Sequence, residues 1–338
     1  MQKPLSTLID VAKKANVSPA TVSRVLNQPD LVHRNTLEKV QRAIAETGFI
    51  ANQAARNLRQ NKSRAILVLV PHNTPLIGDL LIGMEQTASK HGYSVLVAHT
   101  EDLDGNNRNL LNYIHQSKAD GIVMLGGDNQ HNHLTQNKKN TWDIPTVAVN
   151  EKVNDSHALT VGIDNYQCTK ALVQYLAGLG HTRIGQIAGP VDLVSSAFER
   201  DRGFNDEMQA QKLTPCWHTY KQYNMESGAN AANEWVALAN KPTAVVCSCD
   251  EVAFGFTSEL YRNGYRVPRD LSVTGFDNIP LAKFSVPALT TVRQPLVEIS
   301  ETTINTLLKK ITNTHTSSED ILLAGKLIVR TSTARYTN

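Results

Sequence analysis

The stretch Leu8-Ile-Asp-Val-Ala-Lys-Lys-Ala-Asn-Val-Ser-Pro-Ala-Thr-Val-Ser-Arg-Val-Leu-Asn27 contains two helix starts separated by a tight turn. Thr7 stands three residues before Asp10, the spacing of a capping box in which the hydroxyl takes one free backbone N–H and the carboxylate reaches back to another. Leu8, Val11, Ala12 and Ala15 then recur at helical spacing, which predicts a first helix ending near Ala15. Asn16 tolerates the left-handed conformation that a sharp stop requires. Ser18-Pro19 restarts the chain: the serine can cap a helix, and proline suits the first helical position because no N–H is needed there. Val22, Val25 and Leu26 face inward from this second helix, leaving Pro19, Ala20, Ser23 and Arg24 outside. A third helix fits Thr36 to Thr47, with Leu37, Val40 and Ile44 as its stripe and Gly48 as its stop. Two short helices joined by a tight turn and covered by a third make a helix-turn-helix unit, whose second helix has the right size for the major groove of DNA.

The next stretch, Ala51-Asn-Gln-Ala-Ala-Arg-Asn-Leu-Arg-Gln-Asn-Lys-Ser-Arg64, places Ala51, Ala54, Ala55 and Leu58 on one helical stripe and contains basic residues but no acid. A helix of that length does not hold alone, so its own residues fit a flexible basic linker as well as a helix that needs a partner. Charge is unevenly placed along the chain. Residues 1–64 hold eleven Lys/Arg against four Asp/Glu, a net of +7, whereas the remainder holds 23 against 27, a net of −4. A cationic head on a mildly acidic body directs a polyanion to the head alone.

With 41% hydrophobic and 19% charged residues over 338 positions, the chain has the make-up of a globular protein of two or three domains. No apolar run reaches membrane-spanning length, and Lys13 and Lys14 interrupt what would be the apolar core of a secretory leader, so a cytoplasmic protein is expected. Cysteines 168, 216, 247 and 249 show no framework spacing, which predicts reduced, mostly buried thiols and no metal site. His131-Asn-His133 lies in a polar stretch that reads as a solvated loop.

From Ala65 onward, short apolar strands (65–70, 94–98, 121–125 and 145–149) alternate with helical stretches at 80–91 and 107–118, the mark of a parallel sheet with crossover helices. A second series, with strands at 184–188, 244–247 and 271–275, implies a second lobe. Gly178-Leu-Gly180-His-Thr-Arg-Ile-Gly185 imitates a dinucleotide-binding loop, but it follows a helix and leads into a strand, the reverse of the order that aims a helix N-terminus at pyrophosphate. It reads as a turn. With no nucleophile elbow, phosphate-binding loop or zinc-protease motif elsewhere, no enzyme and no cofactor is expected.

Residues 8–27, followed by Lys39-Val40, Gly48-Phe49 and Ala54-Ala-Arg-Asn-Leu58, closely resemble the head of the LacI/GalR family of bacterial transcription repressors. The resemblance continues through Gly180-His-Thr-Arg-Ile-Gly-Gln-Ile-Ala-Gly-Pro190, Pro242-Thr-Ala-Val-Val246, Arg266-Val-Pro-Arg-Asp-Leu-Ser-Val-Thr-Gly-Phe-Asp-Asn278 and Pro287-Ala-Leu-Thr-Thr-Val292, so it covers essentially the whole chain. It implies an N-terminal all-α helix-turn-helix head with a hinge helix, followed by an α/β two-lobed sensor of the periplasmic-binding-protein-like (type I) kind. The corresponding division is a DNA-binding domain at 1–50, a hinge at 51–63 and an effector-binding and dimerisation domain at 64–338, its N-lobe at about 64–160 and 293–322 and its C-lobe at about 163–290 and 325–338.

The same resemblance assigns roles by position. Pro19 and Ala20 fall where the family reads base edges, Arg24 matches a base-contacting arginine, and Thr7, Ser18, Thr21, Ser23 and Asn27 match phosphate-contacting or helix-anchoring positions. The hinge acquires a new meaning in this setting: Ala54 and Ala55 are small enough for paired helices to sit close in the minor groove, and Leu58 matches the leucine that wedges between base pairs. Operator DNA, a second copy of the chain and a small-molecule effector are the implied partners, together with an activator protein on the DNA, and no membrane. Arg200, Tyr223 and Asp277 match effector-contacting positions, and Asn150, Asp164 and Asp250 are further candidates lining the cleft. Each acid has an alternative reading as a helix cap or loop anchor. Pro75-Leu76-Ile77-Gly78 lacks the paired aromatics of purine-binding members, whereas Asn150-Glu151, Ser248-Cys-Asp250 and Phe276-Asp-Asn-Ile279 look most like the cytidine-repressor branch. A nucleoside is therefore the favoured effector, and a sugar the alternative.

Overall fold

The computed structural model describes residues 6–49, 63–70, 76–99, 119–126, 144–152, 158–313 and 319–337. Ala54, Ala55, Leu58, the helix expected at 107–118, and His131 and His133 lie outside the described residues. The chain divides into two compact units, residues 1–63 and residues 64–338.

In the first unit, α1 spans Leu8–Ala15, α2 Pro19–Asn27 and α3 Arg34–Thr47, with a short 3-10 turn at Pro29–Leu31. Thr7 and Asp10 form the complete capping box, and Asn16 ends α1 in the left-handed region at φ 51°. Ser18 caps α2 by accepting from the Thr21 N–H, with Pro19 in the first turn. Val11, Ala12, Ala15, Val22, Val25, Val40 and Ala43 close a small core between the three helices. The third helix starts two residues earlier than its apolar stripe suggests. Its cap, His33, makes no side-chain bond to the helix end, so no capping residue in the sequence marks that boundary.

The second unit holds two six-stranded sheets. The first contains β1 (Ala65–Val70), β2 (Ser94–His99), β3 (Gly121–Leu125), β4 (Thr146–Val149), β5 (Leu159–Ile163) and β11 (Ile321–Leu323) in the order β11-β5-β4-β3-β1-β2, all parallel. The second contains β6 (Ile184–Ala188), β7 (His218–Tyr220), β8 (Ala244–Cys247), β9 (Ser272–Asp277), β10 (Thr290–Arg293) and β12 (Lys326–Ile328) in the order β12-β10-β9-β8-β6-β7, with only β12 antiparallel. Strands β1, β4, β5, β6 and β8 are buried along their whole length, which is why they read as unbroken apolar runs rather than as alternating patterns.

Crossover helices are α4 (Ile77–Lys90), α5 (Asn165–Gly178), α6 (Ser195–Ala210), α7 (Met225–Ala237) and α8 (Asp250–Arg262), followed by the short α9 (Leu281–Phe284) and by α10 (Leu296–Ile311). The chain passes between the sheets three times: β5 of the first leads into α5, which packs on α6; β10 of the second leads into α10, which packs on β3, β4 and α4; and β11 leads into β12. Gly178 ends α5 and Gly180, at φ 91°, makes the turn into β6, as the order of elements around that glycine cluster requires. All four cysteines are free; Cys168, Cys247 and Cys249 are buried and Cys216 is exposed. Among the described residues no helix is long and apolar enough to cross a membrane.

Candidate functional sites in head and cleft

On the head, the core holds Val22 and Val25 inward, and Pro19, Ala20 and Arg24 are exposed on the opposite side of α2. Thr7 and Ser18 are exposed at the N-terminal ends of α1 and α2, where free backbone N–H groups favour an anion such as phosphate. Thr21 shares a hydroxyl contact of 2.9 Å with Ser18, and Ser23 is half-buried. Asn27 closes α2; its side chain lies outside the described part.

In the second unit, a cavity opens where the carboxyl ends of the two sheets face each other. Leu76, Ile77 and Leu80 form an aliphatic wall from the first lobe, joined by Asn150 and Glu151 after β4. Ser196 and Arg200 from α6, Tyr223 after β7, Cys249 and Glu251 at the start of α8, Asp277 at the end of β9 and Gln294 after β10 complete it. Four of the sequence-derived candidates, Asn150, Arg200, Tyr223 and Asp277, therefore meet at one cavity.

Arg200 is held rigidly. Its Nε donates to Asn165 Oδ1 at 2.8 Å, one terminal nitrogen donates to the Ser248 carbonyl at 2.6 Å, and the other stands 3.8 Å from Asp277. Its guanidinium carbon lies 3.6 Å from the centre of the Phe276 ring, so the planar group is stacked as well as bonded. Asp277 accepts from Gln294 Nε2 at 2.7 Å. Burial pushes the Asp277 carboxyl up to about 6, against the pull of Arg200 and Gln294. Asp277 and Asn278 both adopt positive φ, 108° and 56°, uncommon for residues with side chains, and Asn278 Oδ1 is pinned by Arg330 at 2.6 Å. Tyr223 lies over Gly189, where a Cβ would come within 2.5 Å of the tyrosine hydroxyl.

Two candidates fall elsewhere. Asp164 caps α5 by accepting from the Gln167 N–H at 2.9 Å, and lines a separate cavity beside Lys152 and Asp320. Asp250 is fully buried and does not line the cleft. It accepts from Thr291 Oγ1 at 2.6 Å and from the Ile279 N–H at 2.8 Å, tying β10 and the loop after β9 to the start of α8. Burial and the neighbouring Asp277 raise its carboxyl to about 8. Asp164 thus serves as a helix cap and Asp250 as a loop anchor.

Sequence reasoning missed Glu151, Ser196, Cys249, Glu251 and Gln294. Glu151 is 8% exposed and accepts from Ser195 Oγ at 2.8 Å, from the Ser196 N–H at 3.0 Å and from Ser196 Oγ. It thus fastens the end of β4 in one lobe to the first turn of α6 in the other. The Lys152 N–H adds a bond to Ser195 Oγ at 2.9 Å. Burial pushes the Glu151 carboxyl upward even with these donors in place. Gln294 Oε1, Asn150 Oδ1 and the Tyr223 hydroxyl are buried without a hydrogen-bond partner among the described residues. Unsatisfied buried polar atoms are costly, and their convergence on one cavity is what a ligand site looks like before the ligand arrives.

A head that presents an outward-facing second helix, followed by a two-lobed α/β body with a polar cleft, defines a ligand-responsive regulator of DNA. The chain belongs to the lacI family of bacterial regulatory proteins, whose family model matches residues 7–52, and residues 173–333 match the periplasmic binding protein-like domain. It is 35% identical over 335 residues to the transcriptional repressor CytR of Escherichia coli, covering 98% of this chain and 97% of that one. The transcriptional repressor PurR of Aliivibrio salmonicida is 32% identical over 320 residues, covering 92% and 94%. Among solved structures, the lac repressor dimer bound to operator and the anti-inducer ONPF aligns with a TM-score of 0.83 at 25% identity, covering 98% of this chain and 99% of that one. The complex of the regulator CelR with cellobiose aligns at 0.71 and 27% identity, covering 97% and 99%. These relatives are transcription regulators and not enzymes.

Proposed function

We propose that the protein is a cytoplasmic transcriptional repressor that binds a pseudo-palindromic operator as a homodimer and changes its affinity for that operator when a nucleoside enters the cleft. The observation that carries the effector side is the convergence of Gln294 Oε1, Asn150 Oδ1 and the Tyr223 hydroxyl, all buried without a partner among the described residues, around Arg200 and Asp277. Tyr223 offers a ring for a base or sugar to stack on, and Arg200 and Asp277 offer a donor and an acceptor for its polar edge. The aliphatic wall of Leu76 and Ile77 fits the flat or apolar face of such a ligand from the other side. A sugar uses the same hydroxyl-reading groups and is the second reading, supported by the absence of an aromatic at Leu76 and Ile77.

On the DNA side, Pro19, Ala20 and Arg24 face bases, and Thr7, Ser18, Thr21, Ser23 and Asn27 fix the head on phosphate. In this reading the domain boundaries fall at residues 50 and 63, and Ala54, Ala55 and Leu58 bind the minor groove. Exposed Tyr261, Leu281, Phe284 and Val286 give the second lobe an apolar surface that supports self-association. An activator protein bound beside the operator is a further partner in this reading.

Selection of bound sequences from random DNA, with and without nucleosides and sugars, tests the function directly. Enrichment of an inverted repeat whose recovery changes with one of the ligands is the expected result; recovery of no common sequence overturns it. Gly189→Ala probes the cleft independently. The new methyl group collides with the Tyr223 hydroxyl and ring, so ligand affinity should fall about tenfold or more, while operator affinity without ligand is unchanged. Calorimetric titration beside a DNA-binding assay checks both halves.

A further inference from the structure

The charge of the cleft distinguishes between ligands that share a shape. Its lining includes three carboxyl groups, Glu151, Glu251 and Asp277, and one guanidinium, Arg200. The guanidinium gives one N–H each to Asn165 and the Ser248 carbonyl and faces Asp277 at 3.8 Å, so the positive charge in the lining is already offset by an acid of the chain, although N–H donors remain. Glu151 is consumed by the α6 first turn. Glu251 is different. It is half-buried at the cavity wall, forms no ion pair among the described residues, and lies close enough to Asp277 for the two negative charges to be felt by one another.

The neutral polar atoms tilt the balance in the same direction. Gln294 is 95% buried; its Nε2 donates one bond to Asp277, and its Oε1 is an acceptor without a donor among the described residues. Asn150 Oδ1 is a second such acceptor. These two oxygens suit a ligand that donates hydrogen bonds, and with three carboxyl groups to one guanidinium the lining disfavours a phosphate by its charge.

We infer that Glu251, with Asp277, selects the charge of the effector, so that the cleft takes an uncharged polyhydroxylated ligand that donates hydrogen bonds and turns away its phosphorylated counterpart. This rests on the effector-cleft reading above and holds for nucleosides and sugars alike, because the phosphate is what the two carboxylates reject. Glu251 acts here as a specificity residue and not as an anchor of the fold: it stands in the first turn of α8, where an acid also suits the helix end, and among the described residues it forms no ion pair with another element.

The test is calorimetric titration of the full-length protein with cytidine, cytidine 5′-monophosphate, ribose and ribose 5-phosphate. The unphosphorylated compound that binds is expected to do so at least about tenfold more tightly than its phosphate, since like charges brought together in a partly dry site are strongly unfavourable. Glu251→Gln should narrow that ratio and Glu251→Lys should narrow it further, with thermal melting confirming that both variants fold. Equal or tighter binding of either phosphate by the unaltered protein overturns the inference, as does a ratio that neither substitution moves. Release of operator DNA by the unphosphorylated compound, scored on the same preparations, keeps the two readings apart. Intact release with no charge discrimination removes only the role of Glu251, whereas absence of release by every compound removes the effector-cleft reading.

Discussion

Arg24→Ala is expected to weaken operator binding by about 1–3 kcal/mol and to flatten base preference at one position in each half-site. Val22 and Val25 are buried against α1 and α3, which fixes the rotation of α2 and leaves Arg24 exposed on the face that also carries Pro19 and Ala20. The other two offer only apolar contact, so the guanidinium is the group on that face able to pair with a base edge through two parallel bonds. Its removal costs the head little, because the side chain is exposed and the core is untouched. Competition binding against the selected operator and against random DNA separates the outcomes. A loss confined to the operator supports base reading, and an equal loss on both assigns Arg24 to phosphate instead.

Arg200→Ala should have a larger effect and a different signature. The substitution removes the donors to Asn165 and the Ser248 carbonyl, the ion-pair partner of Asp277 and the cation stacked on Phe276, all in a site where Arg200 is 9% exposed. Taking one partner from a buried, bonded charge pair costs about 3–5 kcal/mol. Thermal melting should show the body destabilised, calorimetry should show ligand binding lost, and DNA binding should persist without responding to ligand. Arg200→Lys is expected to recover some stability but not binding, because a compact ammonium cannot serve a fork of partners set in one plane. Retained ligand affinity in both variants would remove Arg200 from the effector site.

The head was legible almost residue by residue because its signals are local. Thr7, Asp10, Asn16, Ser18 and Pro19 act on neighbours within four positions, and the structure uses each where the sequence puts it. The start of α3 was not legible, since His33 caps without a side-chain bond. Strands β1, β3, β6 and β8 could be read as apolar runs, whereas β7, β11 and β12 are three residues each and too short to show a pattern. The cleft divides along the same line. Arg200, Tyr223 and Asp277 could be placed because whole motifs surround them. Glu151 could not, because its partners Ser195 and Ser196 lie more than forty residues along the chain and meet it only when the lobes do. The inward turn of Asp250 is not legible from its neighbours: Cys249 and Glu251 line the wall, and the aspartate between them is buried on Thr291 and the Ile279 N–H.

The bond between Glu151 and the α6 first turn has a bearing on how such a regulator diverges. It draws the lobes together with groups the chain already owns, so a ligand adds to an approach that is partly made in its absence. The concentration at which half the molecules respond then depends on two independently adjustable quantities, the fit of the pocket and the grip of the fastening. Exchanging Ser195, which bonds Glu151 without lining the cavity, would retune the threshold of a genetic circuit while leaving what it senses unchanged. Descendants of one gene can thus come to answer the same metabolite at scarcity or at plenty.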